Sequence, residues 1–258
     1  MRNKTIDTRQ GHWILAKMGK KVLRPGGKKL TLKLIDTLTI NSSDNIVEFA
    51  PGLGFTASIA LKNNPKTYTG IELNEEATSI LRKSINGVGR KIIVGNASDS
   101  TLANESSDKV YGEAMLTMQS DHRKSEIIRE AYRILKKGGL YGIHELGLSP
   151  DSIKEETKSQ IQKELAKVIK VNARPLTAKE WSTLLEKEGF AIKSVETNAM
   201  HLLEPKRIID DEGFFRTLKI IFNILTNSSA RKRIVAMRKV FKKNERYLNA
   251  IIIVAIKK

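Results

Sequence analysis

The 258-residue sequence contains no cysteine, which excludes disulfides, thiolate metal sites and cysteine nucleophiles. Histidine is scarce too: His12, His122, His144 and His201 lie far apart, and none forms a helical metal-ligand pair, so nothing points to a metal. The amino-terminal stretch lacks the apolar centre of a secretory signal, because Trp13 to Leu23 is interrupted by Lys17, Lys20 and Lys21. The longest apolar run, Ala250 to Ile256, is far too short to span a bilayer, and no transmembrane segment is expected. A cytoplasmic location is the simplest expectation. Acidic residues are sparse only at the two ends. Residues 1–40 hold 10 Lys/Arg against 2 Asp/Glu and residues 201–258 hold 14 against 5, whereas the middle is near balance despite a net charge of +18. Such ends suit an anionic partner, whether RNA, a phosphorylated metabolite or an acidic lipid surface, or a merely solvated basic surface.

What is present begins at Asn45-Ile-Val-Glu48-Phe-Ala50-Pro-Gly52-Leu-Gly54, read as a short apolar strand, a glycine turn and the start of a helix near Phe55. Gly52 and Gly54 allow a tight turn and close backbone approach to a ligand. The helix start aims unpaired N–H groups into that turn. From here strand and helix alternate. Strands are predicted at Ile46–Phe49, Thr67–Leu73, Lys91–Val94, Lys109–Leu116 and Leu140–Leu146, with helices between them. The helix after Ser120 is expected to stop at Gly138-Gly139. A sixth strand is expected at Phe190–Glu196 and a closing strand at Tyr247–Ile256. This rhythm predicts an α/β fold: a Rossmann-like, doubly wound, mostly parallel seven-stranded sheet with an antiparallel last strand. Residues 1–40 read as a basic amino-terminal arm and helix. Residues 41–258 read as the main domain, with helical insertions near 150–176 and 200–246.

Gly52-x-Gly54-x-x-Ala57 matches the dinucleotide fingerprint, and Glu72 follows at the spacing of a ribose-binding acid. A carboxylate there accepts hydrogen bonds from both ribose hydroxyls. Glu48 separates the ligands: at the strand end it would repel a pyrophosphate but welcome an ammonium and a sulfonium. S-adenosylmethionine meets that description, and an NAD-type oxidoreductase is the competing reading.

On these residues the chain resembles the class I S-adenosylmethionine-dependent methyltransferases over roughly residues 41–258. The glycine motif is Val47-Glu48-Phe-Ala50-Pro-Gly52-Leu-Gly54, with Ala50 where the family usually has its first glycine. The ribose acid resembles Glu72, beside Leu73; the adenine-side pair is Asn96-Ala97, where the family usually has Asp-Ala. Arg133 to Gly139 resembles the family's turn before the fifth strand. The resemblance implies S-adenosylmethionine as cofactor and S-adenosylhomocysteine as product. It places Glu48, Ala50, Gly52, Gly54, Glu72, Leu73, Asn96, Ala97 and Glu113 at the cofactor, with Ala114–Met118 beside its methionine end.

The fold does not fix the methyl acceptor. Candidates for a base, should the acceptor lose a proton, are Glu113, His144 and Glu145 at the ends of strands four and five. His12 and Trp13 are a second choice if the amino-terminal arm folds over the cofactor. Glu48-x-x-Pro-Gly-Leu-Gly also resembles the rRNA adenine dimethylases, but Glu113-Ala-Met-Leu-Thr-Met118 has neither proline nor aromatic to stack a flipped base. A small-molecule or lipid-like acceptor is therefore preferred, with RNA the alternative. In the second insertion, Phe214, Phe215, Leu218, Ile221, Phe222 and Leu225 are expected to pack on the core. The basic stretch Arg231 to Lys243 is expected to be a solvated face or part of a substrate lid that meets an anionic group.

Overall fold

The computed structural model describes residues 10–258. The part of the basic arm at 1–9 lies outside the described residues. The elements are α1 (Gly11–Lys17), α2 (Gly27–Leu38), β1 (Asn45–Phe49), α3 (Phe55–Ala60), β2 (Thr67–Glu72), α4 (Glu75–Ser84), β3 (Arg90–Val94) and β4 (Ser107–Glu113). They continue with α5 (Asp121–Ile134), β5 (Leu135–Leu148), α6 (Glu155–Ile169), β6 (Leu176–Thr177), α7 (Ala178–Lys187) and β7 (Phe190–Ala199). Last come α8 (Pro205–Glu212), α9 (Phe214–Thr226), α10 (Ser228–Lys243) and β8 (Leu248–Lys257).

The main sheet runs β3-β2-β1-β4-β5-β8-β7, with the short β6 paired to β5. Strands β1 to β5 are parallel, and β8 is antiparallel to both β5 and β7. The order reverses beside β1, so the crevice at the carboxyl ends of β1 and β4 is the topological switch point where open α/β sheets bind ligands.

Strand alternation divides the interior into two layers. Val47, Phe49, Val110, Ile143, Ile251 and Ile253 face α5 and α7, together with Ile127, Ile134, Trp181 and Leu185. Ile46, Tyr68, Tyr111, Ile252 and Val254 face the other way, against Leu30, Leu34 and Leu38 of α2 and Ala57 of α3. A third apolar cluster caps the carboxyl end of the sheet. Leu15 of α1, Leu165 of α6, Met200 and Met237 of α10 meet there with Leu146 and Leu148 of β5.

Three expectations are corrected. Helix α5 stops at Ile134 rather than Gly138-Gly139, because Leu135 is fully buried and already pairs with Ser107 as the start of β5. The second insertion contains a helix, α8, opened by Pro205, ahead of the two stretches singled out there in the sequence. The apolar residues of α9 do not pack on the core: all six expected there are exposed, and only Thr217 and Ile220 are buried.

Candidate functional site

A cavity of about 500 Å³ opens at the switch point. One wall comes from the sheet, with Ala50, Gly52, Leu53, Ile71, Glu72, Leu73, Asn96, Ala97, Glu113 and Ala114 among its lining residues. The opposite wall comes from the helical cap, through His12, Trp13 and Leu15 of α1, Leu165 and Ile169 of α6, and Met237 and Phe241 of α10. The cavity thus has a polar side, set by strand ends, and an apolar side, set by helices.

The glycine turn has the geometry its sequence predicts. Ala50, Gly52 and Gly54 all take left-handed backbone angles, with φ of 52°, 59° and 82°. Ala50 therefore adopts the conformation of the glycine it replaces, at a cost of about 1 kcal/mol. A Cβ on Gly52 would meet no atom within 4 Å, leaving space for a ligand against the backbone. Gly54 does a different job: it does not line the cavity, and a Cβ there would sit 2.9 Å from Leu81, so it lets α3 pack against α4.

Glu72 ends β2 at the cavity. Its two carboxylate oxygens accept from the Gly52 and Asn74 backbone N–H groups, each at 2.9 Å, which fixes the turn to the acid. Burial raises its pKa, and these backbone hydrogen bonds pull against that shift. Asn96 and Ala97 follow β3; the Asn96 Oδ1 accepts from the Ser98 backbone N–H and hydroxyl. Leu73, Asn96 and Ala97 all reach the cavity, as expected.

Glu48 does not. The pleat turns it to the α2 side of the sheet, where it is 2 % exposed and accepts from the Tyr68 hydroxyl at 2.7 Å and the Tyr111 hydroxyl at 3.0 Å. Burial pushes its pKa up to about 7 despite those two hydroxyls. It cannot discriminate a sulfonium from a pyrophosphate by contact, so that part of the sequence reasoning is withdrawn.

The three residues considered as bases are corrected as well. Glu113 lines the cavity but is held in a buried network. Its Oε1 accepts from Thr31 Oγ1 at 2.8 Å and lies 2.6 Å from His144 Nδ1; its Oε2 accepts from Arg24 at 2.6 Å and from Thr56. Burial would raise its pKa, but the Arg24 guanidinium and His144 outweigh it and hold it at about 2. A carboxylate that acidic is a poor base. His144 is fully buried, with Nε2 2.7 Å from the Pro25 carbonyl oxygen, so both ring nitrogens face oxygen acceptors and neither reaches the cavity. Glu145 is also fully buried. It accepts from the backbone N–H groups of Met115, Leu116 and Thr117 and from the Thr117 hydroxyl, and so fixes the loop that lines the cavity beyond β4.

Sequence reasoning missed how the cap is held. Lys20 is buried 3.7 Å from Asp211 and 3.6 Å from Glu212. Glu212 accepts from the Lys21 and Val22 backbone N–H groups, Asp211 from that of Lys28, and Arg207 donates to the Gly26 carbonyl. Helix α8 thus clamps the Arg24-Pro-Gly-Gly27 turn and sets α1 over the cavity, bringing His12 and Trp13 to it, as their second-choice reading required. The available signal was Asp210-Asp211-Glu212, an acidic run inside a basic segment. Lys20 and Arg24 are therefore structural cations, not part of an open basic surface.

A doubly wound sheet with a glycine turn and a strand-end acid at its switch point defines a Rossmann-like nucleotide-site protein. A family model described as a methyltransferase domain matches residues 47–143. An uncharacterised protein of Haemophilus influenzae is 36% identical over 245 residues, spanning 93% of this chain and 95% of that one. Among solved structures, the [4+2]-cyclase SpnF is similar with a TM-score of 0.74 at 15% identity, over 97% of this chain and 94% of that one. Phosphoethanolamine N-methyltransferase 2 of Haemonchus contortus, in complex with phosphomonomethylethanolamine and S-adenosylhomocysteine, gives 0.73 at 17% identity, over 97% and 57%. Residues 47–143 thus form a methyltransferase domain, set in a class I methyltransferase-like fold that these structures share over nearly the whole chain.

Proposed function

We propose that this enzyme methylates a small or lipid-like acceptor whose apolar body occupies the helical side of the cavity. The observation that carries this reading is the apolar stretch of that wall: Leu15, Leu165, Ile169, Met200, Met237 and Phe241 offer contact area, while the cations Lys21, Arg24 and Arg123 also line the cavity. Such a pocket favours an apolar body by the area it removes from water. The H. contortus neighbour, with a small acceptor in its site, supports a small-molecule reading over a polymer.

The residues of the sheet-side wall fit the cofactor. In this reading Glu72 would hold the ribose hydroxyls, Asn96 and Ala97 the adenine, and the Ala50–Gly52 turn would make close backbone contact. The bound cofactor supplies a methyl group activated by a sulfonium. The chain's own work is then mainly positioning, holding acceptor and methyl in line and excluding water. For an acceptor that must lose a proton, His12 is the histidine placed to take it, because it alone of the four lines the cavity. Trp13, its neighbour at 4.9 Å between ring centroids, gives an aromatic face to that end.

Transfer of labelled methyl groups into a cell extract, then separated into RNA, protein, lipid and small-metabolite fractions, tests this. Label in the lipid or small-metabolite fraction is expected. Label confined to RNA would favour the alternative acceptor class, and label confined to protein would overturn both.

A further inference from the structure

We propose that the α9–α10 hairpin seats this enzyme on an anionic lipid bilayer surface. Helix α9 is amphipathic the wrong way round for a core helix. Phe214, Leu218, Ile221, Phe222 and Leu225 recur at helical spacing and, with Phe215, form a broad apolar arc turned to solvent; Phe215 is 85% exposed and Phe222 65%. The opposite, narrow side holds the helix in place. Ile220 is buried, and Asn223 Nδ2 donates to the Met18 carbonyl oxygen at 3.0 Å. An exposed apolar patch of this kind marks an interaction surface.

Charge says what covers it. Residues 214–243 contain nine Lys/Arg and no Asp/Glu. Helix α10 buries Ala230, Ile234 and Met237 and turns Lys232 and Lys239 outward; Lys219 is exposed on α9. Among the described residues these three lysines hold no ion pair, whereas Arg238 pairs with Glu204 and Lys243 with Glu164. A second copy of so cationic a face would be repelled. A nucleic acid would meet the lysines but leave the phenylalanines in water. A bilayer satisfies both, with the apolar arc at the acyl boundary and the lysines at anionic head groups. At 13 residues α9 is about 20 Å long, too short to cross the hydrocarbon region, so it lies in the surface rather than spanning it.

The surface is continuous with the site. The α10 helix that turns lysines outward also brings Met237 and Phe241 to the cavity, and α9 braces α1, which carries His12 and Trp13. An enzyme seated this way would take an apolar acceptor from the bilayer, but the docking itself does not depend on what is methylated.

Flotation of the full chain with vesicles tests it without any turnover. Binding is expected to equimolar phosphatidylglycerol–phosphatidylcholine vesicles and not to phosphatidylcholine alone. Neutralising one lysine should weaken binding about fivefold, and Lys219→Gln/Lys232→Gln/Lys239→Gln about a hundredfold. Phe215→Ser/Phe222→Ser should weaken it by about tenfold or more. S-adenosylhomocysteine affinity, measured on each variant, shows that it is folded; the lysine variant serves if the phenylalanine variant does not fold. Equal binding to both vesicle types, no binding to either, or binding indifferent to the substitutions would overturn the proposal. So would a dimer, seen by light scattering, that Phe215→Ser/Phe222→Ser dissolves.

Discussion

The sheet-side wall of the cavity is made by consecutive strand ends, whereas the facing wall is made by α1, α6 and α10, which come from both ends of the chain and its middle. On the first wall, polar groups are fixed by backbone: the glycine turn hydrogen-bonds Glu72, and Glu145 ties down the loop after β4. On the second, apolar side chains gather in one cluster held by buried ion pairs to α8. The regular wall suits an invariant task, reading a nucleoside. The assembled wall can vary without disturbing the first, which is how one fold serves many acceptors.

The comparison is most exposed where the walls join. Glu113 on β4 receives Arg24 from the cap segment and His144 from β5. Glu113→Ala should destabilise the protein by about 3–5 kcal/mol in denaturant titration, because two buried cationic or proton-bearing groups lose their carboxylate. A loss under 1 kcal/mol (about a weak surface pair) would mean the walls are not joined there.

Next comes pH. Glu48 has a folded pKa raised from 4.5 to about 7, so the folded state binds the extra proton and its contribution fades as pH rises through that window. Glu48→Gln should abolish that decline and leave the variant less sensitive to pH between about 4.5 and 7, an effect of about 3 kcal/mol at most, with no difference in slope above neutrality. Glu113 has the opposite sign: its pKa is lowered to about 2, and its contribution is lost as pH falls from 4.5 toward 2. Stability measured across pH in wild type and Glu48→Gln separates the two limbs.

On the sheet side alone, Glu72→Ala should weaken S-adenosylhomocysteine binding by about 1.5–3 kcal/mol in calorimetry, as for lost hydrogen bonds to a charged group. The smallest effect is at Ala50, whose positive φ is relieved by Ala50→Gly, with an expected gain of about 0.5–1 kcal/mol in stability. A loss there would mean that the turn is not strained.

What could be read from the chain follows the same division. Glu72, Asn96 and Ala97 were legible because a strand end and a turn fix their position locally. Glu48 was misread because alternation sends neighbouring residues to opposite faces: Val47 and Phe49 go to one layer, Ile46 and Glu48 to the other. His144 and Glu145 show the same limit on β5, which is buried on both faces. The cap was hardly legible, since its clamp joins Lys20 to Asp211 and Glu212 across most of the sequence. For α9 the helical period was plain, but a period cannot say whether an apolar face meets a core or a partner.

The most direct test of a cavity with two separable walls is Met237→Trp, which fills the helical side without touching the glycine turn. S-adenosylhomocysteine affinity and methyl-transfer rate are measured side by side on wild type and variant. Affinity within about twofold of wild type with a rate reduced about tenfold or more is the expected result (a difference of about 1 kcal/mol or more in transition-state stabilisation). A rate unchanged, or an affinity lost in step with the rate, would contradict it.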